Sequence, residues 1–302
     1  MTNDLAKEIL RLKKEKNAII LAHYYVDGTV QDVADYIGDS YYLSKIAKES
    51  NADVLVFAGV NFMADSAKVL NPNKTVLLPD MTADCPMAHM VLLEQIDKVR
   101  SMYDDIAVVC YINSDINIKA KSDVIVTSAN AVKVVKSLPN KNIFFIPDKN
   151  LGRYVSEIVK EKNFIFNEGY CPVHNFMDAS KIKAVKKVHS DVLVLAHPEC
   201  NSDVLALADY IGSTSGIIDY VSKCDAKRFY IATEIGVLHT LKKKYKDKIF
   251  YYNECHVCED MKKITLEKIY NSLCTLSPSI SVDEDLIDLA NKPLERMLEL
   301  AK

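Results

Sequence analysis

The chain has 302 residues, 49% hydrophobic and 26% charged, with a formal net charge of −3. That balance excludes a disordered or low-complexity protein, and its acidic sign excludes a nucleic-acid surface of the usual basic kind. No uncharged apolar run approaches the roughly 18 residues of a membrane span, and the start "MTNDLAKEILRLKKEKN" has no apolar leader core, so a cytoplasmic location without a membrane partner is expected.

In chain order, short β-branched runs alternate with amphipathic stretches of helical length, the pattern of parallel strands joined by crossover helices. An N-terminal helix leads into a strand at 18–22, a short strand before "GDS" at 38, and strands at 52–59 and 75–79. A helix follows "DCPM" at 84–87, then strands at 106–110, 123–128, 142–147 and 164–167. After "GYCPVHNF" come strands at 191–196, 228–233 and 249–253, with a short one before "GST" at 212. Only eight glycines are present, and neither GxGxxG nor GxxxxGK[ST] occurs, which removes the dinucleotide and P-loop fingerprints.

The series repeats. "VADYIGDS" at 33–40 and "LADYIGSTS" at 207–215 are nearly one phrase, and each follows an apolar strand ending in histidine. His23, Tyr111 and His197 fall 88 and 86 residues apart, and Cys85, Cys171 and Cys258 fall 86 and 87 apart. The expected fold is therefore α/β, with three homologous three-layer αβα domains built on small parallel sheets around a pseudo-threefold axis. The units are placed at 1–86, 87–172 and 173–283, with the C-terminal helix 284–302 against the first. Ligands of open parallel sheets sit beyond the carboxyl ends of the strands, so three such ends facing inward make one central cavity.

Three thiols converging on it suit a soft metal centre, and three rather than four leaves a position free for substrate, which favours Lewis-acid dehydration over electron transfer. Cys85 and Cys171 each precede a proline, which favours the first turn of a helix, and the helix dipole there is expected to favour the thiolate. Cys255 and Cys258 form a CxxC without a partner pair; Cys258 keeps the period and is preferred as third ligand, with Cys255 left as a redox neighbour. Cys110, Cys200, Cys224 and Cys274 lie off the period and are assigned to packing. His23 and Tyr25, Tyr111 and Asn113, and His197 and Glu199 hold matching places at strand ends, i and i+2 on one side of an extended chain. Ser40, Ser128 and Thr214 sit where strand gives way to helix, the position of N-caps and of anion sites.

Together these residues resemble the quinolinate synthase family, iron-sulfur enzymes of de novo NAD biosynthesis. The resemblance runs over the whole chain, through "LAHYYVDGTVQDVADYIGDS", "FAGVNFMADSAKVLNP", "LPDMTADCPMA", "CYINSDINIKAKSDVIVTSANA", "IPDKNLGRY", "GYCPVH", "AHPECNSDVLALADYIGSTSG" and "CEDMKKITLEKIY". It implies a 4Fe-4S cluster held by Cys85, Cys171 and Cys258 with one open iron. It also implies condensation of iminosuccinate with dihydroxyacetone phosphate to quinolinate, with loss of phosphate and two waters. On the same resemblance His23, Ser40, Ser128, His197 and Thr214 hold carboxylates or phosphate. Tyr25, Tyr111, His197 and Glu199 are implied in catalysis, Asn113 and His174 line the cluster side, and an iminosuccinate-producing aspartate oxidase or dehydrogenase is the implied partner. The family's third ligand is usually followed by proline, where this chain has Glu259. The rival readings from residues alone are another three-cysteine hydro-lyase, an iron-sulfur sensor and a zinc-bound structural protein.

Overall fold

Strands whose residues are apolar on both faces must be covered by helices on both sides, and the runs at 54–58 and 106–110 have that character. The computed structural model describes residues 2–302 and places these runs at the centres of two of three parallel sheets. The first sheet contains β1 (Ala18–His23), β2 (Tyr36–Gly38), β3 (Val54–Ala58) and β4 (Thr75–Leu77). The second contains β5 (Ile106–Tyr111), β6 (Val124–Val126), β7 (Asn142–Ile146) and β8 (Asn163–Phe166). The third contains β9 (Leu193–Ala196), β10 (Tyr210–Ile211), β11 (Arg228–Ala232) and β12 (Ile249–Tyr251).

All three have the same order, β2-β1-β3-β4, β6-β5-β7-β8 and β10-β9-β11-β12. The central registers repeat as well: Ile20 pairs with Val56, Val108 with Phe144 and Leu195 with Ile231. In each sheet the chain leaves the first central strand one way and returns on its other side, a switch point that opens a crevice at the carboxyl ends. The crevice falls after β1 and β3, after β5 and β7, and after β9 and β11, where the polar pairs of the sequence lie.

The C-terminal segment spans two of the units. Ser279 makes an antiparallel bridge to Leu77 on the edge of β4. The helix Glu284–Leu300 then packs on the helices Asn61–Leu70, Ile116–Ala120 and Ala131–Ser137 and on β6, burying Ala290, Leu294 and Met297. The helix expected against the first unit packs on that unit through Asn61–Leu70 and on the second as well, its apolar stripe being long enough for both. One apolar core runs through the first two units and part of the third, while Met177, Ile182, Val194, Val204 and Tyr230 belong to a separate core in the third. Among the described residues no helix is long and apolar enough to cross a membrane.

Candidate active site and metal centre

The three strand-end pairs meet. His23, Tyr25, Tyr111, Asn113, His197 and Glu199 line a single cavity, together with Ser40, Ser128, Thr214 and His174. Cys85, Cys171 and Cys258 line the same cavity, and each is the residue before a one-turn helix: Pro86–His89, Pro172–Asn175 and Glu259–Lys262. Cys255 is exposed and is not among the lining residues.

The helix-dipole expectation for the thiols is corrected. Burial pushes all three up, Cys258 to about 11, and the other cysteines of the cavity add to the rise at Cys85 and Cys171. Helices of four residues carry too little dipole to offset desolvation, and a bound cation would compensate the charge of the thiolates. Of the cysteines assigned to packing, Cys110 and Cys200 are buried, Cys224 is half-buried, and Cys274 is exposed on the helix Leu266–Thr275 beside Tyr270.

The donor set discriminates between kinds of metal. Cys171, His174 and Glu199 form the donor group that closes to within 4.8 Å, and the three cysteines do not. A single ion needs donors drawn in about its own bond lengths of ~2.3 Å, whereas a cluster takes one thiolate at each of several irons and suits a wider triangle. His174 Nδ1 already lies 2.9 Å from Glu199 Oε2 and 3.2 Å from Cys171 Sγ, so hydrogen bonds occupy the tighter group. The residues present fit a cluster held by Cys85, Cys171 and Cys258.

Ser40, Ser128 and Thr214 are not the N-caps. Asp39 caps the helix Ser40–Glu49 by accepting from Tyr42 N, and Ser213 caps Thr214–Lys223 by accepting from Gly216 N. In the second unit the cap position is Asn130, whose Oδ1 accepts from Thr127 N instead. In the first and third units the neighbouring residue takes the capping task, and in all three the hydroxyl lines the cavity.

A residue not singled out in the sequence, Thr233, joins two that were. Its Oγ1 lies 2.7 Å from the Tyr25 hydroxyl and 2.9 Å from His174 Nε2. Glu199 Oε2 is also 3.1 Å from His197 Nδ1, and His197 Nε2 is 3.1 Å from Ser128 Oγ. A hydrogen-bonded line therefore runs from Tyr25 through Thr233 and His174 to Glu199 and on to His197 and Ser128, drawing on all three units. Burial alone raises a carboxyl, but the imidazoles of His197 and His174 outweigh it and hold Glu199 below the usual carboxylate range. Burial, reinforced by the Glu199 charge, raises the phenols of Tyr25 and Tyr111 well above theirs. Burial and the nearby His197 lower His23 to about 3, so it is a neutral imidazole.

Two further acidic residues beside the cysteines were missed, of which Glu234 lines the cavity. Asp148 Oδ2 accepts from Cys171 N at 3.0 Å, and Glu234 Oε1 accepts from Cys258 N at 3.2 Å while pairing with Lys262 at 2.9 Å. They follow β7 and β11 at the same place, and Val60 stands there after β3, so only comparison of the second and third repeats carried a signal. Glu199 Oε1 and Asn113 Oδ1 are buried acceptors without a partner. Native proteins keep such atoms for water or a ligand, here one that donates hydrogen bonds.

The sequence model described as "Quinolinate synthetase A protein" matches residues 7–299. A protein of Fusobacterium nucleatum named quinolinate synthase is 50% identical over 97% of this chain and 98% of its own. One from Caldicellulosiruptor saccharolyticus with that name is 47% identical over 98% of both chains. Another, from Clostridioides difficile, is 48% identical over the full length of both.

Proposed function

The chain belongs to the quinolinate synthetase A family, and from that premise we propose that it is a quinolinate synthase, condensing iminosuccinate with dihydroxyacetone phosphate to quinolinate, phosphate and two waters. The observation that carries this reading is the shared cavity, where three cysteines face a line of hydrogen-bonded acid–base groups. Ring closure needs enolisation, imine formation and loss of hydroxyls, all proton transfers beside an electrophile.

Cys85, Cys171 and Cys258 would hold a 4Fe-4S cluster, which would supply a Lewis acid for a leaving hydroxyl. The rest belongs to the chain. His23, Ser40, Ser128, His197 and Thr214 present hydrogen-bonding groups to carboxylate and phosphate, which suits a cavity with no arginine in its lining. Asn113 Oδ1 and Glu199 Oε1, unpartnered and buried, accept from the substrate's nitrogen or hydroxyl. Tyr25 is the group placed to take a proton from substrate carbon, once its own has passed by way of Thr233 to His174 Nε2. Glu199 stabilises the imidazolium that results, which keeps the transfer reversible although the phenol is hard to ionise by itself. Tyr111, which lines the same cavity, delivers or receives protons in the steps that close the imine and expel hydroxyl.

The test is an anaerobic assay with fresh iminosuccinate and dihydroxyacetone phosphate. Quinolinate and stoichiometric phosphate are expected; dehydration of a di- or tricarboxylate without either product would instead identify a hydro-lyase of another kind.

A further inference from the structure

The threefold repeat makes three junctions between neighbouring units, and they can be compared position by position. At the first, Gln31 of the helix Gly28–Val33 reaches the helix Val237–Lys244: its Nε2 donates to Gly236 O at 3.0 Å, and Thr240 Oγ1 donates to its Oε1 at 2.9 Å. At the second, Lys119 lies 88 residues on and reaches the helix Asn61–Leu70, where its Nζ donates to Phe62 O at 2.8 Å and Ser66 Oγ at 2.7 Å. Gly236 and Thr240 are the repeat equivalents of Phe62 and Ser66. Gln31 and Lys119 are 1% and 0% exposed, so both junctions are sealed by a buried polar plug.

The third junction lacks the plug. The equivalent residue, 86 beyond Lys119, is Leu205, and the facing helix is Lys149–Ile158. Between them lies a cleft of ≈ 560 Å³, against ≈ 70 Å³ for the central cavity on the same scale. Only one thickness of chain separates the two spaces. Asn175 and Cys200 line the cleft while their chain neighbours His174 and Glu199 line the cavity. What closes the wall is Asn150, whose Nδ2 donates to Glu199 O and to Asn175 Oδ1, each at 3.0 Å. Lys149 and Arg153 line the cleft with one carboxylate, Glu157, and Lys149 Nζ lies 3.4 Å from the exposed Glu168 Oε2 outside that lining. Arg153 is exposed and makes no ion pair among the described residues.

We propose that this third junction is the entry route for the anionic substrates, and that Arg153 and Lys149 are the cations that draw the phosphorylated three-carbon substrate into it. The inference rests on the quinolinate synthase reading for the identity of that substrate. A doubly charged phosphate ester approaching the molecule meets two plugged seams and one cleft of net positive lining, where the Asn150 hydrogen bonds alone close the wall to the cavity. Opposite charge at a concave mouth raises capture rates by tenfold or more, an effect that salt suppresses.

The test is stopped-flow binding of dihydroxyacetone phosphate to anaerobic, cluster-loaded enzyme, followed through cluster absorbance at about 0.02 M and about 0.5 M salt. The double variant Lys149→Glu/Arg153→Glu is expected to associate about tenfold more slowly at low salt, with the difference shrinking at high salt. Ala206→Trp, which adds bulk at the cleft, is expected to slow association at both salts. Lys244→Glu/Lys246→Glu carries the same charge change on exposed surface at the end of the helix Val237–Lys244, away from the cleft lining, and is expected to match wild type. Wild-type association in both cleft variants, or equal slowing in the control pair, overturns the route while leaving the enzyme's activity as found. A wild-type enzyme that forms no quinolinate overturns the route and the functional reading together.

Discussion

Thr233 is the residue on which the proton path turns, because neither Tyr25 nor His174 touches the other directly in the line of hydrogen bonds. Removing its hydroxyl while keeping its shape isolates that task. Thr233→Val is expected to lower kcat about a hundredfold with KM changed only a few-fold, and Thr233→Ser to restore most of it. A Thr233→Val enzyme of wild-type kcat in steady-state assays contradicts the path. His23 offers a second test through pH. Its folded pKa of about 3 lies below the ordinary value of 6.5, so between those limits the unfolded chain binds the extra proton. Its contribution is complete above about pH 6.5 and is lost as pH falls toward 3, by up to ~1.4 kcal/mol per pH unit. Urea unfolding of wild type and His23→Asn should give a shallower acid slope for the variant; equal slopes would show that His23 is not held neutral. The strand-end pairs were legible in the sequence because three of them fell in register. Thr233 was not, because the corresponding residues after β3 and β7, Gly59 and Pro147, carry no hydroxyl and leave no repeating signal.

At the scale of elements, all twelve strands announced themselves as apolar runs bounded by turns, including the two short edges before Gly38 and Gly212. The helix starts did so less well. "GDSYY" and "GSTSG" each offer two capping candidates in succession, and the one that caps, Asp39 or Ser213, decides whether the next hydroxyl is free. Asp39→Ala is expected to cost about 1 kcal/mol in urea unfolding and to raise KM as Ser40 falls back toward the empty cap. Unchanged KM with the stability loss would remove Ser40 from the substrate contacts. The thiols carry the same lesson in the other direction. Cys-Pro steps marked the helix starts correctly, but the helices are single turns, so burial rather than dipole sets thiol acidity.

Across the whole molecule, the period that revealed the fold also places its seams. Lys119 and Gln31 could not be recognised from sequence as equivalent plugs, since a lysine and a glutamine on amphipathic helices read as surface. Only packing shows that each is buried against the next unit. Lys119→Ala is expected to destabilise the chain by about 2–4 kcal/mol, because it strips a buried ammonium from a carbonyl and a hydroxyl and leaves a void. A loss below ~1 kcal/mol in equilibrium unfolding would show that the seam does not depend on it. The charge at that seam is itself costly, since burial lowers Lys119 to about 8 from its usual 10.5. Stability at this site should therefore rise as pH climbs from about 8 toward 10.5, where the unfolded chain binds the extra proton.

The central claim is that Cys85, Cys171 and Cys258 share one cluster whose remaining iron faces substrate, and Mössbauer spectroscopy of the anaerobically reconstituted protein tests it most directly. The account predicts about four irons per chain, of which one alone changes its parameters when dihydroxyacetone phosphate is added, with the cluster lost in Cys258→Ala and kept in Cys255→Ala. Four irons indifferent to substrate, or a cluster that survives Cys258→Ala, would contradict it.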